Sequence, residues 1–415
     1  MEPDKTEAAA LLRPLEREPR TPPAIDIGKA IADGTRRQRT HRVAGAGATA
    51  LATVAAVAGG WALFAPDPAP GGGPAPDIAA ASASGEPGPT PPTACTLQQL
   101  EMPQGQPPMS VVTGGDPSGR YVVGRSYPDS SQTPRILIWE NGKVTAVAME
   151  GQDQALRDVN SAGAAVGYSF VGDDEALRTA AWVYRDGKMS RLAGDNAEAH
   201  AINEDGVIVG VVDGKPALWR TPTSEPTLLK TPGAGWIGQA TDIDDDGTVV
   251  GRLAKGETEA EAGYLWRPGG ALEKLPVPAV DGKQATEYTA SSIRNGWVAG
   301  WALLGERSSG KRDAAAGKPA GGGEIRAPRW NLRTGAVDTP DGIRMVEGIN
   351  RHGWVVGEAS GPVLLADGRT VQLPTLGHDD TIPSIVYTVS DDGRTLAGQV
   401  WMADGDPAAA LWRCS

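Results

Sequence analysis

Phenylalanine, cysteine and histidine are scarce in this sequence: among 415 residues there are 2 Phe, 2 Cys and 4 His. Glycine and proline are abundant, at 55 and 34 residues, which favours many short strands and turns over long amphipathic helices. Positive charge is also in deficit, because the formal net charge is -12. A nucleic-acid-binding protein needs a basic surface to neutralise phosphates, so we predict no nucleic-acid partner.

Charge is absent from one stretch near the N-terminus, between Val43 and Pro66. Its first 22 residues, Val43 to Phe64, would reach about 33 Å as a helix, enough to cross the hydrocarbon core of a membrane. Arginines beside an apolar span stay on the cytoplasmic side. Four of them precede this span: Arg36, Arg37, Arg39 and Arg42. The sequence therefore predicts a transmembrane helix over 43–64, with a cytoplasmic N-terminus and the rest of the chain outside the cell.

The segments on both sides of this span lack the composition of a folded core. Residues 1–42 contain no nucleotide-binding or DNA-reading motif and are predicted to be a mostly disordered cytoplasmic tail. Residues 65–94 are almost wholly Pro, Gly, Ala, Ser and acidic residues, which predicts an extended linker. A cleaved signal peptide is the alternative for the span. We expect a retained signal anchor, because the tail is longer than an ordinary signal n-region.

From Thr113 onward one pattern recurs seven times: a strand, a turn with glycine, a short apolar strand ending in a second glycine, a variable loop, and a strand with tryptophan. Residues 201–210, Ala-Ile-Asn-Glu-Asp-Gly-Val-Ile-Val-Gly, are the clearest copy. The second glycines recur every 41 to 57 residues: Gly124, Gly167, Gly210, Gly251, Gly300, Gly357 and Gly398. The turn glycines, where a left-handed backbone closes a hairpin without steric cost, are Gly119, Gly163, Gly206, Gly247, Gly296, Gly353 and Gly393.

Six copies share a tryptophan position, and the sixth copy has Leu365 in its place. These tryptophans are Trp139, Trp182, Trp219, Trp266, Trp330 and Trp412. A further strand follows each of them, so that each copy supplies four strands. Four antiparallel strands in about 45 residues is the period of a propeller blade. The sequence therefore predicts an all-β, seven-bladed β-propeller over residues 95–415. A solenoid is the alternative, but it would need capping repeats, and the sequence has none that we recognise.

The last copy stops where its fourth strand should begin, at Trp412-Arg413-Cys414-Ser415. Residues 95–100, which precede the first copy, resemble the missing strand, so we expect the two ends of the domain to pair in one blade. Cys95 and Cys414 then lie on both sides of the closing seam and are predicted to form a disulfide. It would close a loop of about 320 residues, worth about 5 kcal/mol by chain-entropy reasoning, in an oxidising compartment. Two unrelated thiols are the alternative.

The repeat resembles the bacterial extracellular HAF-repeat proteins, of a membrane-anchored actinobacterial type. The resemblance rests on residues 201–210, on Ala217-Leu218-Trp219 and on residues 373–377, Leu-Pro-Thr-Leu-Gly. The His-Ala-Phe triplet of that family is degraded here to forms such as Thr179-Ala180-Ala181. The resemblance covers about 320 residues and implies a secreted or surface propeller, but no single activity.

Two short motifs suggest a ligand but lack its structural context. Residues 233–238, Gly-Ala-Gly-Trp-Ile-Gly, match a dinucleotide-binding fingerprint, yet they join two predicted strands and open no helix. Residues 242–247, Asp-Ile-Asp-Asp-Asp-Gly, start like a calcium loop, but Val250 and Leu253 stand where further oxygen ligands are needed. We predict ordinary turns at both sites, with calcium binding at 242–247 as the alternative, and assign no cofactor and no metal ligand.

Candidates for catalysis are also few. Only His378, followed by Asp379 and Asp380, stands in a loop where it could act as an acid or base, and a solvated loop is the more ordinary interpretation. The sequence contains no Gly-x-Ser-x-Gly nucleophile motif. We therefore predict no enzyme and no catalytic residue, and the only residue pair assigned is Cys95 with Cys414.

Long insertions identify one face of the predicted propeller as the place to search for binding. These loops contain Asp173, Asp174, Glu175, Trp236, Glu257, Glu259, Glu261, the 305–324 insertion and His378. We predict a non-enzymatic surface binding or scaffold protein whose partner is an unknown extracellular protein or glycan; a merely hydrated surface is the alternative for this face. A propeller hydrolase or lyase acting on cell-wall polymer or a lactone is the alternative function. Converging carboxylates or a metal in the central channel would favour the enzyme, and an apolar plug the scaffold.

Overall fold

The computed structural model describes residues 89–105, 109–127, 134–172, 177–256, 259–305, 323–376, 384–403 and 405–415. The predicted tail at 1–42, the predicted span at 43–64 and residues 65–88 of the predicted linker lie outside these ranges. Within the described ranges, no helix has the length and apolar character needed to cross a membrane.

Seven antiparallel sheets follow one another along the chain as the blades of a propeller. Blade 1 contains β2 (Ser110–Gly115), β3 (Tyr121–Ser126), β4 (Arg135–Glu140) and β5 (Lys143–Val147). Blade 2 contains β6 (Gln152–Val159), β7 (Ala165–Val171), β8 (Arg178–Arg185) and β9 (Lys188–Arg191). Blade 3 contains β10 (Ala197–Ile202), β11 (Ile208–Val212), β12 (Lys215–Trp219) and β13 (Thr227–Leu228).

Blade 4 contains β14 (Ile237–Ile243), β15 (Val249–Lys255), β16 (Glu259–Trp266) and β17 (Leu272–Lys274), and a hairpin of β18 (Ala279–Val280) and β19 (Lys283–Gln284) follows it. Blade 5 contains β20 (Glu287–Arg294), β21 (Trp297–Leu304), β22 (Glu324–Arg326), β23 (Arg329–Asn331) and β24 (Ala336–Asp338). Blade 6 contains β25 (Met345–Ile349), β26 (Val355–Glu358), β27 (Pro362–Ala366) and β28 (Arg369–Gln372). Blade 7 contains β29 (Ile385–Val389), β30 (Thr395–Trp401), β31 (Pro407–Cys414) and β1 (Cys95–Gln99).

The first strands of successive blades contact one another in a closed ring, from β2 through β6, β10, β14, β20, β25 and β29 back to β2. Apolar residues of neighbouring blades pack between the sheets; for example, Val123 and Ile136 of blade 1 share a buried cluster with Leu156 of blade 2. The predicted all-β, seven-bladed propeller is therefore confirmed. Its blades surround a central channel that the first strands line.

Each first strand contains a β-bulge, which inserts one extra residue relative to its partner strand. In blade 3 the register shifts between Ala199 and Ala201, so that His200 is the extra residue and Ala199 pairs with Gly210. The same shift occurs opposite the repeat glycine in every other blade. The bulge is thus a property of the repeat.

The bulge explains the repeat glycines. A Cβ on Gly210 would lie 2.0 Å from the carbonyl oxygen of Glu198, and the other six repeat glycines face a carbonyl at a similar distance. Only a residue without a side chain allows this close approach of two backbones. The strand also continues past this glycine, because β11 ends at Val212. The prediction that these glycines end their strands was therefore wrong.

The tryptophans join neighbouring blades. The indole N–H of Trp219 donates a 2.8 Å hydrogen bond to the carbonyl of Ala193, just after the last strand of the preceding blade. Four others make the equivalent bond at 2.6 to 2.8 Å: Trp139, Trp266, Trp330 and Trp412. Such bonds satisfy the polar end of a side chain whose rings fill the space between sheets.

Trp182 does not occupy this position. In the other blades, the residue at the tryptophan position pairs with the residue that lies two places before the repeat glycine. Trp219, for example, pairs with Ile208, and the repeat glycine is Gly210. In blade 2 that residue is Tyr184, whereas Trp182 pairs with Gly167 itself and donates to Ser169 Oγ at 2.8 Å. The prediction for blade 2 was therefore wrong by two residues, because spacing alone does not fix the register of a strand.

The closing seam is confirmed. The N-terminal strand β1 pairs antiparallel with β31 as the fourth strand of blade 7. Cys95 lies directly opposite Cys414, and the two form a disulfide with Cα atoms 4.0 Å apart. The disulfide stands where the other blades have the turn between their third and fourth strands, so it replaces that covalent connection.

Candidate functional site

The central channel is a cavity of about 800 Å³, lined by the first strands of all seven blades. Known small-molecule sites span roughly 300–1,000 Å³, so this volume suits a ligand. The seven bulged residues line it at equivalent positions, and we call them the bulge ring: Thr113, Arg157, His200, Thr241, Ser291, Glu347 and Tyr387. The fold thus brings seven side chains of six residue types to one cavity.

Two members of the bulge ring are committed to the fold. His200 Nδ1 lies 2.8 Å from the carbonyl oxygen of Ala240 in the next blade, so that nitrogen carries the hydrogen. Thr241 Oγ1 donates to the carbonyl of Ala290, again in the next blade, at 2.8 Å. These side chains join blades 3, 4 and 5 around the channel and have little freedom to rearrange for a ligand.

Arg157 and Glu347 are the charged members of the bulge ring, on blades 2 and 6. Arg157 is exposed, and within the described residues it makes no hydrogen bond or ion pair. Glu347 is half-buried and also has neither among those residues. The two are nevertheless close enough for the charge of Arg157 to act on the Glu347 carboxyl. They face one channel with opposite charges and no direct contact.

The environment of Glu347 makes its carboxyl a weak acid. Burial, and then the charge of Glu358 on the neighbouring strand, raise its pKa to about 7, although Arg157 opposes the shift. The hydroxyl of Tyr387, the next member of the bulge ring, is affected in the same direction, because burial and then Glu347 raise its pKa to about 12. At neutral pH, Tyr387 is therefore neutral and Glu347 lies near its titration midpoint.

The other arginines of the channel wall have partners. Arg125 bonds Asp153 at 2.6 Å and lies over the ring of Tyr127. Arg252 bonds Glu261 at 2.8 Å. Glu261, which the sequence placed among the acidic loops, therefore neutralises a channel arginine. Among the described residues of the wall, Arg157 is the arginine that retains its full hydrogen-bonding capacity.

Arg294 joins three blades at the end of the channel where the first two strands of each blade are connected. It donates to Asp391 of blade 7 at 2.9 Å and to Asp245 of blade 4 at 2.8 Å. Burial lowers the pKa of Arg294, but its hydrogen bond to Asp391 and the nearby carboxylates outweigh burial and raise it above its usual value. This cluster holds three blades together at that end of the ring and pairs the charge of Arg294 with two carboxylates.

Two buried carboxyls strengthen the same region. Asp158 Oδ2 accepts the backbone N–H of Ile202, and Asp242 Oδ2 accepts that of Ile293, in each case from the following blade. Burial raises the pKa of Asp158 to about 8 and that of Asp242 to about 6. Both carboxyls line the channel, but their hydrogen bonds hold the blades together.

The calcium-like residues 242–247 form a hydrogen-bonded turn. Asp244 accepts the N–H groups of Asp245, Asn295 and Gly296, and Asp246 accepts that of Thr248. Within the described ranges, no group of three or more His, Cys, Asp or Glu residues is placed to hold a metal ion. The fingerprint-like residues 233–238 run into strand β14, with no helix to face a pyrophosphate.

Most of the predicted binding loops lie outside the part of the chain that the structure describes. His378, Asp379, Asp380, residues 173–176, Glu257 and residues 306–322 lie outside the described residues. Of the others, Trp236 packs edge to face against Tyr264, with ring centroids 6.0 Å apart. None of the bulge ring was singled out as a site from the sequence. Each member stands two residues before the end of its first strand, or three in blade 5, and neighbouring blades carry different residue types at this position.

Comparison with known proteins adds no function. No family model matches the chain, and no curated protein does, so the HAF-repeat resemblance remains a prediction. Among solved structures, the chain is similar to the propeller of Dos1, at 9% identity and a TM-score of 0.44 over 78% of this chain and 95% of that one.

Two further solved structures show the same degree of likeness. The β-propeller domain of the Trilobed protease from Pyrococcus furiosus has 12% identity and a TM-score of 0.47, over 73% of this chain and 95% of that one. An oligogalacturonate lyase in complex with manganese has 12% identity and a TM-score of 0.42, over 78% and 98%. These are distant likenesses, and no property of this chain is inferred from them.

Proposed function

We propose that this chain is a non-enzymatic binding protein of the cell surface, and that the central channel of its propeller is the ligand site. The observation that supports this most directly is the bulge ring, which brings seven side chains of six residue types to equivalent positions in a cavity of about 800 Å³. The wall of this cavity also carries a cation, Arg157, and a carboxyl, Glu347, whose side chains make no hydrogen bond or ion pair among the described residues.

Presentation outside the cell is part of the same proposal. A disulfide between Cys95 and Cys414 persists in oxidising compartments, which agrees with the predicted export of residues 95–415. The anchor at 43–64 and the linker at 65–94 would hold the propeller at the membrane with its channel accessible to extracellular glycans, peptides or small molecules.

A channel-blocking variant tests the proposal. Thr113→Trp places a large side chain in the bulge ring, and Thr145→Trp places the same side chain on the exposed outer strand of the same blade. The full chain would be screened in detergent against glycans, cell-wall fragments and free metabolites by calorimetry. We expect Thr113→Trp to abolish binding of the ligand found, and Thr145→Trp to preserve it. A ligand that binds both variants equally would place the site outside the channel.

Glu347 favours one alternative function. A carboxyl with a pKa of about 7 can accept and return a proton at neutral pH, which is what a general acid-base catalyst needs. A hydrolase or lyase acting on cell-wall polymer or a lactone would then use Glu347 as its proton acceptor and Arg157 to hold an anionic substrate. Turnover of such substrates by the full chain, lost in Glu347→Gln, would support the enzyme.

A further inference from the structure

The bulge ring sets the positions of its two charged side chains relative to each other. Because both Arg157 and Glu347 are the extra residue of a bulge at the same place in their strands, they stand at equivalent positions around the channel. Blades 2 and 6 are separated by blades 1 and 7 on one side and by three blades on the other. The two side chains therefore face each other across the channel.

Neither Arg157 nor Glu347 forms an ion pair with another described residue. Arg125, Arg252 and Arg294 bond carboxylates, whereas Arg157 bonds none among the described residues. On the other side of the channel, Glu358 is the charged group with the largest effect on the pKa of Glu347, and Glu358 is itself paired with Arg344. A half-buried carboxyl next to another acidic group gains from an added cation, and an exposed guanidinium gains from an added anion.

The opposite charges of Arg157 and Glu347 determine which class of ligand can form an ion pair with each of them. No ion pair joins Arg157 and Glu347, although the charge of one acts on the other. A neutral ligand would leave both groups without a charged partner, and an anion would pair with Arg157 but add a like charge near Glu347. A molecule with a carboxylate at one end and an ammonium at the other would complete both pairs.

The wall beside Glu347 also suits an ammonium group. Tyr387 is the neighbouring member of the bulge ring, and its pKa keeps it neutral at physiological pH. Trp301 lines the same cavity. Aromatic faces attract cations, most strongly where water is excluded. Hydroxyl and amide groups of the wall, including those of Ser291 and Gln399, offer further hydrogen bonds to a polar ligand.

We propose that the central channel binds a small zwitterion of the amino-acid type, with Arg157 as the contact for its carboxylate and Glu347 as the contact for its ammonium group. This inference rests on the proposed function of the channel as a ligand site, and it adds the chemical class of the ligand and the residue that recognises each end.

Analogues that each lack one charge test this assignment. The full chain would be titrated by calorimetry with the free L-amino acids and D-alanine. The tightest of these would be compared with its N-acetyl derivative, which lacks the ammonium, and its primary amide, which lacks the carboxylate. Since a hydrogen bond to a charged group is worth enough to change affinity roughly 10- to 100-fold, we expect each analogue to bind weaker by that factor.

Two variants then test which channel residue contacts the carboxylate of the ligand and which contacts its ammonium group. In Arg157→Gln the parent amino acid and its amide should bind equally, and in Glu347→Gln the parent and its N-acetyl derivative should bind equally. The matched controls are Arg191→Gln and Glu225→Gln, which change exposed residues on outer parts of blades 2 and 3. Both controls should keep the full preference for the zwitterion. A purely structural role of the two channel residues would lower stability without changing the ratio between analogues.

The outcomes separate this inference from the proposed function. If no amino acid binds the wild-type chain, or if an analogue with one charge binds as tightly as the parent, the zwitterion assignment is wrong. If a ligand from the wider screen binds the wild-type chain but not Thr113→Trp, the channel is still the binding site and only the class of ligand is wrong. If binding of every ligand survives Thr113→Trp, both the site and the assignment are overturned.

Discussion

The carbonyl oxygen of Glu198 occupies the space that a side chain on Gly210 would need, 2.0 Å from the position of its Cβ. The contact joins the bulge of the first strand of blade 3 to the middle of the second strand. Because the extra residue of that bulge is the one that faces the channel, the glycine is a requirement for the site as well as for the sheet.

Gly210→Ala is therefore expected to be strongly destabilising. The methyl group would meet backbone rather than a movable side chain, so the bulge must open, at a cost of about 3 kcal/mol or more. Urea unfolding of the full chain measures this cost. Gly233→Ala is the matched control, because its Cβ would meet no atom within 4 Å, and it should change stability by less than about 0.5 kcal/mol. Equal stability of the two variants would contradict the role of the bulge.

The blades and their order could be predicted from the sequence, because the same pattern of residues repeats in each blade. The repeat glycines return every 41 to 57 residues, each preceded by a turn glycine, and the fourth strand missing at one end appears at the other. The bulge could not be predicted, since Ala199-His200-Ala201 is equally compatible with a regular strand. Trp182 was misassigned for a related reason: nothing local distinguishes its register from that of Tyr184.

The bulge ring could not be predicted from the sequence, because its members share a position in the repeat but no common residue type or motif. Arg157 and Glu347 are 190 residues apart in the sequence, and neither belongs to a recognisable motif: Arg157 is followed by Asp158, and Glu347 stands between Val346 and Gly348. Only the ring closure brings them to one cavity. The signal that could have found them is variability: the position three residues before the turn changes from Thr to Arg, His, Ser, Glu and Tyr, while the surrounding pattern is kept.

Removing the disulfide should weaken the closed ring. Cys95→Ser with Cys414→Ser removes the covalent connection between β1 and β31, and loss of a native disulfide typically costs about 2–5 kcal/mol. We expect a lower midpoint of urea unfolding than for the wild-type chain, and the wild-type chain with reductant should match the variant. Alkylation of the full chain purified without reductant should modify neither cysteine. Two freely alkylated thiols there would contradict the seam.

Stability should fall as the pH rises from about 5 to 8. Glu347, Asp242 and Asp158 have folded-state pKa values of about 7, about 6 and about 8, whereas carboxyls of an unfolded chain titrate near pH 4. In that window the folded state binds more protons than the unfolded state, so the stabilisation present at low pH is lost as the pH passes the folded pKa values.

Glu347→Gln isolates one part of this pH dependence. Glutamine is neutral at every pH, so the variant should lose the contribution of Glu347, which is about 3 kcal/mol at most between its unfolded and folded pKa values. Urea unfolding at a series of pH values measures the slope for the wild type, for Glu347→Gln and for the exposed control Glu225→Gln. The control should follow the wild type. A slope that Glu347→Gln leaves unchanged would show that this carboxyl does not titrate in the window.

Affinity for a zwitterion should rise with pH through the same range, in the opposite direction to stability. The ligand ammonium pairs with the ionised form of Glu347, and at pH values below about 7 the protein must first release the proton from that carboxyl. The other charged groups that act on Glu347 are Glu358, itself paired with Arg344, and Arg157, which binds the ligand carboxylate. Tyr387 stays neutral throughout, since its pKa is about 12.

Calorimetry between pH 5.5 and 8 measures this dependence, and the difference in heat between two buffers gives the number of protons released. The wild-type chain should gain up to about tenfold in affinity per pH unit below pH 7 and level off above it, with proton release only in the lower part of the range. Glu347→Gln should bind more weakly, with no slope and no proton release. Affinity that instead falls with rising pH would mean that the ligand approaches Glu347 with negative charge, as a simple anion held by Arg157 would.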